Sequence, residues 1–525
     1  MKHNVKHLIQ RIKLLNEIGL SLSTERDHAS LMEKILLGAK EITHADAGTL
    51  YILTPERTLE FVVVHTTSLN YHMGGTSPKP VSFAAIPLEK ENGEANDTLV
   101  AVYTALYGKT VNVEDVGENK QFDFSGAHAF DKKTGYTSVS FLSIPMVNHE
   151  GDIIGVLQLL NAQNNDNQII AFDHESQQFT ESLASQAAIA LSNKYLIEEM
   201  RELFESFIRL MAKAIDEKSP HTGEHCRRVP KLTLMLADAA TKSDLLPDFS
   251  LDEKERYELE ISSWLHDCGK VTSPVHIIEK SKKLQTIFDR IQLVEQRFEL
   301  IKRDTEIQYL KACIDTPHQQ AELKEIWINT TKQQESDFCF LKTCNTGSEY
   351  TTPETIQRIQ HIAQRWQWTN NQGQQQTILT KDEVKNLSIV KGTLTTEERQ
   401  LMNNHINVTI EMLESLPFPK HLKRVAQYAG AHHERVDGKG FPYGLKGETF
   451  PIPSRIMAIA DVFEALTSSD RPYKKAMPLS KSIEILTSMA STGHIDPNIF
   501  QVFMQEKVYL EYAHAYLDTE QIDID

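Results

Sequence analysis

The sequence predicts two folded units of different class, an α+β unit followed by an all-α unit, with a long helix joining them. Three observations carry this. Strand-like runs are confined to about the first 190 residues, apolar residues thereafter recur at steps of three and four, and 525 residues exceed one ordinary domain. Hydrophobic residues at 40% and charged residues at 24% are globular values. The 55 basic and 72 acidic residues leave a net charge of −17, which excludes bulk attraction to nucleic acid polymers or anionic membranes. An anionic substrate therefore needs a local basic pocket.

Val5, Leu8, Ile12 and Leu15 step by three and four and predict a leading helix. A second helix is expected at about 28 to 43. Thr49 to Leu53 and Leu59 to Val64 flank Thr54-Pro55-Glu56-Arg57 and read as a hairpin; Ser140 to Met146 and Ile153 to Leu160 read as another. No segment approaches the ~20 apolar residues of a membrane span. Cys226, Cys268, Cys313, Cys339 and Cys344 form no C-x-x-C pair, so neither a zinc knuckle nor a disulfide framework is indicated, and a reducing cytoplasm is expected.

The run Gly151-Asp152-Ile153-Ile154-Gly155-Val156-Leu157-Gln158-Leu159-Leu160-Asn161, with helices on both flanks, resembles a GAF domain. The resemblance implies a sensor over residues 1–195 with a small-molecule ligand. Asn119-Lys120 and Phe130-Asp131 echo the Asn-Lys and Phe-Asp elements of cyclic-nucleotide-binding GAF domains, but an ordinary turn before a strand accounts for them better.

A long helix follows Phe179. Its residues Leu196, Met200, Leu203, Phe207, Leu210 and Ala214 form a heptad seam, so 196–218 reads as a signalling helix and a parallel homodimer is expected. Ser219 and Pro220 start the next segment. From 219 to 525 the helical spacing continues through Val229, Leu232, Leu236, Ile406, Ile410, Ile456 and Ile459, with no strand run. Leu284, Ile287, Ile291, Val294, Phe298 and Ile301 predict a long helix within an insertion at about 284–390, a lid, a docking arm or a decorative hairpin.

His225, His266-Asp267, His405, His432-His433 and Asp461 give seven nitrogen and oxygen ligands spread over this all-α half. That set is enough for two divalent ions sharing a carboxylate, with iron or manganese favoured over zinc. Asp267 is the expected bridge. Glu434 is expected to orient a neighbouring histidine.

The order Leu265-His266-Asp267-Cys268-Gly269-Lys270, His432-His433-Glu434 and Asp437-Gly438-Lys439-Gly440-Phe441-Pro442 resembles the HD-GYP phosphodiesterase family, Phe441 standing for the family's tyrosine. The resemblance implies that the seven residues are metal ligands, that His266, Asp267 and Lys270 are catalytic, and that Lys270 meets the substrate phosphate. His221 falls where some members place a glutamate for a third ion, so two or three ions are implied. Gly440, Phe441 and Pro442 border the cleft. Asp461 to Lys474 matches the family's aspartate helix and Arg-Pro-Tyr loop, so Arg471 and Lys474 are expected to bind phosphate or a guanine edge.

These features predict a cytoplasmic protein whose GAF sensor controls a metal-dependent cyclic di-GMP phosphodiesterase, with pGpG, GMP or both as product. Cyclic GMP-AMP as substrate, a non-catalytic sensor or docking module, and an HD hydrolase of other phosphoesters are the alternatives.

Overall fold

A computed structural model describes residues 2–25, 27–218, 224–347, 350–468 and 476–524. His221, Arg471 and Lys474, and the Ser219-Pro220 signal, lie outside the described residues. Contacts divide the chain into two units, Met1–Leu203 and Phe204–Asp525.

In the first unit, helices α1 (Lys2–Thr24) and α2 (His28–Thr43) precede strands β1 (Ala45–Leu53), β2 (Thr58–Thr66), β3 (Tyr71–Gly74) and β4 (Ile86–Pro87). Helix α3 (Val100–Tyr107), β5 (Val111–Val113), α4 (Ser125–Thr134), β6 (Phe141–Val147), β7 (Ile153–Gln163) and β8 (Ile169–Ile170) follow. The antiparallel sheet runs β3-β2-β1-β7-β6-β5, with β4 on β2 and β8 on β7. Both predicted hairpins are present, and they meet at the β1–β7 pair, where Leu50 faces Leu157.

Strand alternation sorts the core into two layers. Leu50, Leu157 and Leu159 pack with Leu31, Ile35 and Leu36 of α2 and with Leu183, Ala187 and Leu191. The last three belong to α5, which runs unbroken from His174 to Lys218. Tyr51 and Val156 point the other way, against Ala101, Val102 and Ala105 of α3. Each large side chain so buried contributes roughly 1.5–3 kcal/mol. On that second face lies a cavity of about 400 Å³ lined by Tyr51, Phe61, Phe83, Phe130, Tyr136 and Gln158 among others. Asn119 accepts hydrogen bonds from the Gln121 and Phe122 amides and closes a turn, whereas Asp131 lies within α4 and accepts from the Ser138 amide and hydroxyl.

The second unit is helical: α6 (His225–Lys242), α7 (Glu253–Leu265), α8 (Val275–Ile278), α9 (Ile291–Asp315), α10 (Gln320–Asn345), α11 (Pro353–Arg365) and α12 (Lys381–Leu387). Then come α13 (Thr396–Asn403), α14 (His405–Glu414), α15 (Val425–Gly430), α16 (Ile452–Thr467), α17 (Leu479–Ser491), α18 (Pro497–Gln505) and α19 (Val508–Tyr516). Leu232 and Leu236 of α6, Ile456, Ile459 and Phe463 of α16, and Phe503 and Tyr512 form its main core. Residues 284–390 have a core of their own, with Val294, Phe298, Leu341, Ile359 and Ile362.

Two expectations for this half are corrected. The stripe from Leu284 is not one helix: α9 starts at Ile291, where Asp289 accepts from the Ile291 amide, and Ile287 is 95% exposed. The half also contains strands, β9 (Gln367–Thr369) paired with β10 (Gln375–Thr377). They are short and polar, and the Asn370 side chain accepting from the Gln372 and Gln374 amides folds the turn between them.

His65 on β2 carries a testable consequence. Burial, then the adjacent Lys40 and His72, push it from 6.5 down to about 4. Between those values the unfolded chain binds a proton that the folded chain does not, so stability present above pH 6.5 is lost as pH falls toward 4. Hydrogen-exchange protection of the β2 amides, corrected for intrinsic rate, should fall from pH 7 to pH 5 in the wild type, and fall less in His65→Gln. An equal fall in both would contradict the assignment.

Candidate metal site

Every candidate ligand but Asp461 stands at a helix end. His225 opens α6, His266 follows α7, His405 opens α14, His432 and His433 follow α15, and Asp461 lies within α16. Helix termini leave carbonyls and amides near side chains that must be oriented, and the site uses them. His266 Nδ1 donates to the Ser263 carbonyl at 2.8 Å, His405 Nδ1 to Met402 at 2.5 Å, and His432 Nδ1 to Ala429 at 2.5 Å. Each bond places a proton on Nδ1 and turns Nε2 inward, the nitrogen that can ligate a metal when the ring is neutral.

Gly269 lets the two halves of the site meet. A β-carbon there would lie 1.9 Å from the His405 carbonyl oxygen, and the Gly269 amide donates to Thr409 Oγ1 at 2.9 Å. The turn after His266-Asp267 is thereby pressed onto the start of α14.

Asp267 occupies the centre, 2% exposed. Its Oδ2 lies 3.4 Å from His225 Nε2 and 3.2 Å from His266 Nε2, while its Oδ1 lies 3.3 Å from His405 Nε2. Asp461 Oδ1 stands 3.2 Å from His225 Nε2 and 3.9 Å from His266 Nε2. Donor atoms of His225, His266 and Asp267 lie within 4.8 Å of one another, and so do those of His405, His432 and His433. One carboxylate thus faces two histidine groups.

Burial raises the Asp267 pKa, but the Lys270 ammonium at 2.5 Å and His266 outweigh it and hold the carboxyl well below the usual range. Asp461 is likewise lowered, burial being overcome by His225. Burial, with their neighbouring histidines, keeps His432 well below 6.5 and His433 at about 4. His225 goes the other way: Glu464, 2.5 Å from its Nδ1, overcomes burial and raises it.

These residues fit divalent ions. Asp267 Oδ1, His405 Nε2 and His432 Nε2 are buried without hydrogen-bond partners. Unpaired buried polar atoms cost about 1–3 kcal/mol each, and a divalent cation lying against the Asp267 oxygen and the His405 nitrogen, 3.3 Å apart, would satisfy both.

Two roles differ from expectation or were missed. Glu434, 2% exposed, does not orient a histidine; its oxygens accept from the Tyr443 and Leu445 amides at 2.7 and 2.9 Å and fix the loop. Glu464 takes that orienting role, on His225. The sequence signal was its place one helical turn after Asp461, on the same face. The loop returns to the site because Gly440 lies under Glu434, where a β-carbon would be 2.5 Å from the Glu434 α-carbon. This seats the Phe441 ring 4.8 Å from the His433 ring.

Residues 27–191 match the GAF domain family and residues 359–499 match the HD domain family. The chain carries a GAF domain followed by an HD domain. The HD match includes His405, His432, His433 and Asp461 but begins after His225, His266 and Asp267, beyond most of the 284–390 segment. The chain is 43% identical over 97 residues to 3'3'-cGAMP-specific phosphodiesterase 1 of Vibrio cholerae, covering 18% of this chain and 22% of that protein. It is 40% identical over 110 residues to 3'3'-cGAMP-specific phosphodiesterase 3 of Vibrio cholerae, covering 21% and 23%. With the cyclic di-GMP phosphodiesterase response regulator RpfG of Xanthomonas campestris it shares 37% over 129 residues, 24% of this chain and 33% of that protein. The similarity therefore spans at most a third of these relatives.

Removing Glu464 should loosen the ions without unfolding the unit. Glu464→Ala is expected to weaken Mn²⁺ affinity about 10- to 100-fold by chelator competition, whereas Glu434→Ala should leave affinity within about twofold. Equal losses would restore an orienting role to Glu434.

Proposed function

We propose that the chain is a GAF-regulated, metal-dependent cyclic dinucleotide phosphodiesterase that hydrolyses cyclic di-GMP to pGpG, GMP or both. The observation that carries this reading is Asp267, whose two oxygens face separate histidine groups. His225, His266, Asp267, His405, His432, His433 and Asp461 would hold two ions, with His221 as the residue for a third. Nitrogen and oxygen donors suit iron or manganese. When bound, such ions lower the pKa of water and offset charge on the phosphoryl oxygens.

The chain's own residues do the rest. Lys270 stays charged: burial lowers its pKa, but Asp267 and Asp461 raise it further. Its ammonium borders the ligands and can take a phosphate oxygen, supplying the local positive charge that a chain of net −17 needs. Gly440, Phe441 and Pro442 form an apolar wall for a base or ribose. Arg471 and Lys474 would add cations on the substrate side. The names of two relatives favour 3'3'-cGAMP as the second substrate to test.

The remaining features concern control. Leu196, Met200, Leu203, Phe207 and Leu210 on α5 are 45–72% exposed at heptad spacing, which supports a parallel homodimer. Five free cysteines are in keeping with a cytoplasmic setting, and no helix among the described residues is long and apolar enough to cross a membrane.

Anaerobically purified protein supplied with Fe²⁺ or Mn²⁺ should turn over cyclic di-GMP, products being separated by chromatography beside 3'3'-cGAMP and mononucleotides. His266→Ala and Asp267→Ala should each lower turnover on the order of 10³-fold. Wild-type protein that holds metal yet cleaves no cyclic dinucleotide would refute the enzyme reading. Sedimentation at micromolar concentration should give a dimer that Leu203→Glu with Phe207→Glu converts to monomer; a wild-type monomer would remove the seam from the account.

A further inference from the structure

The last residue of α5, Lys218, reaches the turn that carries the catalytic lysine. Residues Cys268–Thr272 form a 3₁₀ turn directly after His266-Asp267. The Lys218 ammonium donates to the Lys270 carbonyl at 3.2 Å, to the Ser273 carbonyl at 2.8 Å, and to the Val271 carbonyl. Three N–H donors meet three main-chain oxygens at the negative end of a short helix, where a cation is best placed. On its other side the same turn is held by the Gly269 amide on Thr409 and by the close approach of Gly269 to His405. The main chain of Lys270 is therefore clamped from two directions. Only one side of this clamp, Thr409 and His405 of α14, comes from the helices that carry the histidines.

Lys218 ends a helix of 45 residues, about 68 Å at 1.5 Å per residue, whose first turns pack in the core of the GAF domain. Sliding α5 by a single residue, about 1.5 Å, would strain these hydrogen bonds unless the lysine stem or the turn moved with it. Lys270 Nζ lies 2.5 Å from Asp267 Oδ2, so a shift of its main chain would displace a cation that borders the ligand set.

We propose that Lys218 is a positioning residue through which α5 sets the place of Lys270, so that the state of α5 reaches turnover at this turn and not through the metal ligands. The inference rests on the phosphodiesterase reading for its kinetic consequence, but not for its structural one.

The test compares full-length wild type, Lys218→Met, Lys218→Arg and, as a control on the same helix, exposed Lys213→Met. In Lys218→Met, amides 268–273 should exchange at least about tenfold faster, with Mn²⁺ content unchanged. Its kcat for cyclic di-GMP should fall about 10- to 100-fold with KM within about twofold. Lys218→Arg should recover most of both, and Lys213→Met should match wild type. Unchanged exchange in Lys218→Met would overturn the proposal. So would loss of Mn²⁺ alongside activity, which would make Lys218 a support of the ion site, or a failure of arginine to rescue. Should wild type hydrolyse no dinucleotide, the phosphodiesterase reading falls, while the exchange and Mn²⁺ measurements still decide the role of Lys218.

Discussion

A buried carboxylate shared between two groups of imidazoles is the constraint on which the second unit depends. Asp267 is 2% exposed, and burying an ionised group without compensation costs several kcal/mol. The compensation comes from Lys270 on its own turn and from His225 and His266 on one oxygen, while the other oxygen faces His405 without a hydrogen-bond partner. Those partners come from three stretches of the chain, at 225, 266–270 and 405, so the helical core must bring α6, α7 and α14 together before Asp267 can remain ionised. Glu464 extends the same logic outward, since its charge fixes His225 from behind. With the proposed ligands held this firmly, ions entering the site would meet donors already aimed.

The GAF domain is built by a different rule. Strict alternation on β1 and β7 sends one set of side chains to the helices and the other to an aromatic-lined cavity, so a single sheet supplies both a rigid core and a hollow face. From that core α5 continues as one helix to Lys218. Its exposed seam and its terminal lysine are the features on which the proposed dimer and the proposed positioning of Lys270 rest.

Much of this was legible in the sequence because it follows periodicity. The two hairpins, the long helix and the apolar stripes of α6 and α16 rest on repeats of two or of three and four, which survive without tertiary knowledge. The histidines and aspartates stood out as residue types in sequence order. What was not legible depends on contacts between distant segments. Glu434 and Glu464 are both glutamates near a ligand; only the fold shows that the first spends its oxygens on loop amides while the second meets His225. Ile287 fits an apolar stripe by spacing, yet Asp289 starts the helix after it. The glutamine-rich strands β9 and β10 lack apolar alternation, being organised by the Asn370 side chain instead. Lys218 reads as an ordinary helix-end lysine until the Lys270, Val271 and Ser273 carbonyls are seen facing it.

The central claim, that Asp267 joins two ions, is tested most directly by low-temperature electron paramagnetic resonance of the full chain loaded with Mn²⁺, together with metal analysis. The account predicts about two ions per chain and the spectrum of an exchange-coupled pair. One ion per chain with the six-line pattern of isolated Mn²⁺ would contradict it.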